Sequence, residues 1–125
     1  MDKSIHDTIE TWKTNLDKPL VILGIHGSGK TQLANRLLSD YTVIRIDETV
    51  KNPQPYIDSA LNRKDVSMMF TKKRYKAILF DDSIDINNSL ITNIVKKKYK
   101  NTPIIIISSN IYTKVKSTKY YIVEL

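Results

Sequence analysis

All three glycines of this chain, Gly24, Gly27 and Gly29, fall within six consecutive positions of the stretch VILGIHGSGKTQLANRLL, Val21 to Leu38. Glycine turns backbone where a Cβ would be strained, so a chain that confines its whole supply to one place has a loop that needs bare backbone there. The stretch GIHGSGKT fits G-x-x-x-x-G-K-[ST], a spacing that lets successive amides face inward as an anion nest. A helix after such a loop adds the partial positive charge of its N-terminus. The chemistry expected is the cradling of ATP phosphates by Gly24, His26, Gly27, Ser28, Gly29, Lys30, Thr31 and Gln32. In that arrangement Lys30 reaches the β- and γ-phosphates, and the Thr31 hydroxyl holds magnesium. His26 fills a variable position and is read as shaping the loop rather than as a base.

Two more groups supply what hydrolysis needs. In KAILFDD, four apolar residues carry a strand through a core and deliver Asp81 and Asp82 to its C-terminal end, where ligands bind in open α/β sheets. Asp81 is expected to contact the magnesium through water, and Asp82 to polarise the attacking water. An acidic turn capping the next helix is the competing use, for which Asp85 is better placed. In PIIIISSN, a strand ending in Ser108, Ser109 and Asn110 puts a polar amide at the same edge. Asn110 is the candidate for orienting the water or the γ-phosphate, making the expected catalytic set Lys30, Asp82 and Asn110. The expected metal contacts are Thr31 and Asp81.

These groups need elements to hold them. SIHDTIETWKTNL spaces Ile5, Ile9, Trp12 and Leu16 as one helical face, with Ser4 as N-cap and Pro19 as terminator. LVILGI reads as a strand, KTQLANRLLSD as a helix with Leu33, Leu37 and Leu38 inward, and YTVIRI as a second strand. A short helix is expected in NPQPYIDSALN, a strand in KAILF, a helix in INNSLITNIVKKKYK, and strands in PIIIIS and YYIVEL. Short continuous apolar runs alternating with helices indicate a parallel sheet covered on both faces. We expect a single domain spanning residues 1–125, with residues 1–18 forming an amphipathic helix packed on its core.

Composition narrows the class. A chain of 125 residues with 41% hydrophobic content can bury a core of its own. Nothing approaches the roughly 18 apolar residues of a membrane span, and the N-terminus lacks a secretory signal, so no membrane partner and an intracellular, cytoplasmic location are expected. With no cysteine and two histidines, disulfide frameworks, thiolate sites and histidine cages are excluded. The net charge of +7 suits a polyanionic partner, although a lysine-rich composition alone decides little. Lys96, Lys97, Lys98, Lys100, Lys114, Lys116 and Lys119 fall in an acid-free span from Ile86 to Val123. Arg63, Lys64, Lys72, Lys73, Arg74 and Lys76 precede the third strand. Tyr75, Tyr99, Tyr112, Tyr120 and Tyr121 are interleaved with them, a pattern used by single-stranded nucleic acid sites and equally by a solvated lysine face.

The order GIHGSGKT, ILFDD, IIIISSN, each following a strand, resembles the Walker A, Walker B and sensor 1 elements of the additional-strand P-loop ATPases. The pattern is similar to AAA+ proteins and to superfamily 3 helicase cores of small DNA virus replication proteins. The resemblance covers Leu20 to Leu125. It implies a three-layer α/β fold with sheet order 5-1-4-3-2, ATP hydrolysis in a ring with an arginine from a neighbouring subunit, and, if the protein is viral, a place in the host cytoplasm or nucleus. The chain departs from those relatives in three ways: no arginine follows Asn110, no glycine-tipped hairpin lies between the second and third motifs, and the sequence stops where a helical lid would begin. The expected function is magnesium-dependent ATP hydrolysis coupled to remodelling or translocation of nucleic acid. Nucleotide-promoted self-association goes with it, with Lys114, Lys116 or Lys119, or less readily Arg63 or Arg74, in the finger role. The alternatives are a small nucleoside or nucleotide kinase and a nucleotide-dependent binding module with little hydrolysis.

Overall fold

Short, largely apolar segments of four to six residues form the strands of the protein, whose computed structural model describes residues 3–62, 75–82, 89–97, 99, 101–110, 115 and 117–125. In chain order the elements are α1 (Lys3–Asn15), β1 (Leu20–Leu23), α2 (Lys30–Leu37), β2 (Tyr41–Ile46), α3 (Pro53–Asn62), β3 (Tyr75–Phe80), α4 (Ser89–Lys97), β4 (Ile104–Ser108) and β5 (Tyr121–Glu124). The strands make one five-stranded sheet ordered β2-β3-β4-β1-β5, every pairing parallel. Counted from the β5 edge, the neighbours run 5-1-4-3-2.

Alternation along the strands makes two cores. Val21, Leu23, Ile44, Ile46, Ile78, Phe80, Ile104 and Ile106 face one side, where α3 contributes Ile57 and α4 contributes Ile91 and Ile94. Leu20, Ile22, Ala77, Leu79, Ile105 and Ile107 face the other, under Ile9 and Trp12 of α1 and Leu33 and Ala34 of α2. The result is three layers, helices on both faces of a parallel sheet, which is why β1, β3 and β4 read as unbroken apolar runs. Each fully buried Ile or Leu stabilises by about 1.5–3 kcal/mol, so the central strands are the firmest part of the scaffold.

Element ends differ from the sequence-based expectation in local ways. Ser4 lies inside α1, its carbonyl accepting the Thr8 hydroxyl at 2.9 Å, so it is not the N-cap. The helix stops at Asn15, ahead of Pro19, because Leu16 turns to a φ of 49°. Helix α2 ends at Leu37, short of Ser39 and Asp40, and the described part of α4 begins at Ser89. The suggested cap Asp85 lies outside the described residues, as do Arg63, Lys64, Lys72, Lys73, Arg74, Lys98, Lys100, Tyr112, Lys114 and Lys116. Among the described residues, no helix is long and apolar enough to cross a membrane.

Candidate functional site

Because β3, β4 and β1 are parallel neighbours, their C-terminal ends share one edge of the sheet. The edge carries Asp81 and Asp82 after β3, Ser108 to Asn110 at the end of β4, and the glycine loop after β1. A backbone bond joins two of them: the Gly24 N–H donates to the Ser108 carbonyl at 3.2 Å. The Asp81 N–H donates to Ile46 O at 2.8 Å and ties β3 to the end of β2.

The glycines are where the loop has no room or the wrong hand for a side chain. A Cβ on Gly24 would stand 2.5 Å from the Ser28 hydroxyl oxygen, inside van der Waals contact. Gly27 has a φ of 80° and Gly29 a φ of 93°, the left-handed region that a side chain disfavours. Gly29 immediately precedes α2, with no side-chain cap on the helix. Lys30 then opens α2 and is only 5% exposed. Its ammonium folds back over the loop and donates to Ile25 O at 2.8 Å. Burying an ammonium on one carbonyl is costly, and a phosphate at this point would be a far better partner. The Ser28 Oγ is also buried and has no hydrogen-bond partner among the described residues. His26, Gly27, Thr31 and Gln32 are exposed at the loop and the first turn of α2.

The two aspartates are held differently. Asp81 Oδ1 accepts the Asp82 N–H at 2.8 Å, and Oδ2 faces the Arg45 guanidinium at 3.4 Å. Asp82 turns toward β4. Its Oδ1 accepts the Ser109 N–H at 2.6 Å and its Oδ2 accepts the Ser109 hydroxyl. Asn110 is exposed, and its N–H donates to Ser108 Oγ at 3.2 Å.

The structure therefore brings the expected residues to one edge and adds two that sequence reasoning missed, Ser109 and Arg45. Ser109 stands beside Asn110 in SSN, where the sequence alone points to the amide. Arg45 is the only charge in YTVIRI, and its alternation with buried Ile44 and Ile46 was the available signal.

The residues at this edge expected to hold a metal, Thr31 and Asp81, would offer it a hydroxyl and a carboxylate oxygen. Among the described residues, no group of three His, Cys, Asp or Glu forms a cage. That set suits magnesium, which binds through one or two carboxylates and the phosphates of its substrate rather than in an all-protein cage.

The described tyrosines of the lysine-rich spans are less open to stacking than the sequence suggests. Tyr120 is buried in the core, and burial raises its pKa. The Tyr121 hydroxyl donates to Asp17 at 2.7 Å, and its ring lies 4.4 Å beneath the Lys18 ammonium. Tyr99 donates to Asp58 at 2.9 Å. Tyr75, 70% exposed, is the ring left open to solvent among these described tyrosines.

A scan against protein-family models finds none that matches this chain, and a search among curated proteins finds no match either.

Proposed function

We propose that the chain is a P-loop ATPase: it binds ATP with magnesium at Gly24 to Gln32 and hydrolyses it with the acids after β3. The observation that carries this reading is the state of Lys30, a buried residue whose ammonium folds over a left-handed glycine loop and has the Ile25 carbonyl as its partner among the described residues. A lysine so placed is arranged for an anion that the loop amides would share with it.

The residues divide the work as follows. The loop amides and Lys30 bind and orient the phosphates, and Thr31 and Asp81 are the groups that would hold magnesium. When bound, that ion neutralises charge on the β- and γ-oxygens. Asp82 takes a proton from the attacking water at a carboxylate oxygen. Ser109, bonded to both oxygens of Asp82, fixes the direction in which that carboxylate faces. Asn110 orients the water or the γ-phosphate from the neighbouring strand end. Single-stranded nucleic acid is the polyanion proposed as the remodelled substrate, on the net charge of +7 and the exposed Tyr75. A second copy bringing Lys119, or a lysine just before it, completes the charge balance at transfer.

Calorimetry on the parent and on Lys30→Ala tests the binding step. Losing a hydrogen bond to a charged group costs about 1.5–3 kcal/mol, so affinity should fall roughly tenfold to 10²-fold. Unchanged ATP affinity would remove the assignment. Phosphate release with and without nucleoside acceptors separates hydrolysis from a kinase, and release that never exceeds background leaves a nucleotide-binding module.

A further inference from the structure

Arg45 has no role in the reading above, yet it is the charged partner of the residue to which that reading gives the metal. Alternation on β2 puts Ile44 and Ile46 in the core with α3, so Arg45 emerges on the opposite face, where it and Val43 are exposed. The Asp81 N–H bond to Ile46 O clamps the ends of β2 and β3 together, which keeps the guanidinium within reach of the carboxylate. The contact is 3.4 Å long and half open to solvent, with Arg45 and Asp81 side chains 45% and 32% exposed. A pair of this kind is weak and readily exchanged. Asp81 is also gripped on its other oxygen by the Asp82 N–H, so its carboxylate stays oriented when Arg45 leaves.

We propose that Arg45 is the resident counter-ion of Asp81 in the metal-free state, and that magnesium entering with the nucleotide must displace it. Arg45 is then a positioning residue that sets how much magnesium the site needs. This rests on the proposed nucleotide reading and goes beyond it.

The experiment measures nucleotide affinity by calorimetry across a magnesium titration, in the parent, Arg45→Gln and Arg45→Lys. Removing the competing charge should lower the half-saturating magnesium concentration in Arg45→Gln by about two- to fivefold, the range expected for an exposed ion pair, while Arg45→Lys stays near the parent. A purely structural role would lower the melting temperature and leave the magnesium requirement alone. In the parent itself, the Arg45 Nε–Hε resonance should move when magnesium is added to the nucleotide-bound protein, a readout that requires no variant to fold. An unchanged or raised magnesium requirement in Arg45→Gln, or an Arg45 resonance indifferent to magnesium, overturns the inference while nucleotide binding stands. A parent that binds no ATP at any magnesium concentration overturns both.

Discussion

The loop after β1 and the carboxylates after β3 lie at the same edge of one sheet and manage charge by opposite means. In the loop the work is done by backbone: two glycines at positive φ, a third pressed against Ser28, and one lysine folded onto a carbonyl five residues back. At the acid pair it is done by carboxylates and the groups that distant parts of the chain bring to them, the Arg45 guanidinium to Asp81 and the Ser109 N–H and hydroxyl to Asp82. A backbone-built site is nearly preformed, since its conformation is written into neighbouring residues. A side-chain-built site has exchangeable partners, and its state depends on what else is bound. In the proposed function the loop holds the phosphate and the acids respond to it.

Changes on either side sharpen that contrast, taken here from the largest expected effect. Asp82→Asn keeps the shape and leaves groups that can still bond Ser109 while removing the basic oxygen. ATP affinity should persist and turnover should fall about 10²-fold or more, read as phosphate release per chain. Turnover at the parental rate would assign the base elsewhere. Gly24→Ala attacks the loop through crowding, and overpacking of this kind costs about 1–3 kcal/mol, visible as a lowered urea midpoint. An unshifted midpoint would mean the loop is less rigid than its contacts imply. Ser109→Ala removes one hydroxyl donor but leaves the backbone N–H on Asp82, so stability should drop by only about 0.5–1.5 kcal/mol, read as a small fall in the urea midpoint.

The smallest effect concerns another carboxylate held by a hydroxyl, away from the edge. Burial, then the bond to Asp58 and its negative charge, push the Tyr99 pKa up to about 12 from 10.0. The fold favours the neutral phenol, so this contribution is complete below pH 10 and is lost as pH rises through about 12, because the unfolded chain gives up its proton first. Urea midpoints of the parent should therefore decline more steeply between pH 10 and 12 than those of Tyr99→Phe. Parallel slopes would contradict the pairing.

The same contrast explains what could be read from sequence. The glycine loop and the buried strands are legible because each depends on residue types close together: glycines five positions apart at most, or four apolar residues in a row as in LVIL, AILF and IIII. Arg45–Asp81 and Ser109–Asp82 span 36 and 27 residues, and they exist only because strand order and alternation bring those side chains to one edge. Tyr120 and Tyr121 misled for a related reason. Their lysine-rich surroundings suggest a surface, while Tyr120, just ahead of β5, lies in the core and Tyr121, its first residue, bonds Asp17. The start of α1 was misplaced because Ser4 has the right type for a cap and lies inside the helix.

The central claim is that backbone amides of the glycine loop hold the phosphates, and an amide NMR titration of the parent with ATP and magnesium addresses it residue by residue. The account expects the largest shifts at Gly27, Ser28, Gly29, Lys30 and Thr31, with Ser109 following through Asp82 and the strands beneath unmoved. Shifts that leave the loop silent and gather at the opposite end of the sheet, around the cavity of about 680 Å³ lined by Trp12, Pro19, Val95 and Tyr120, would contradict it.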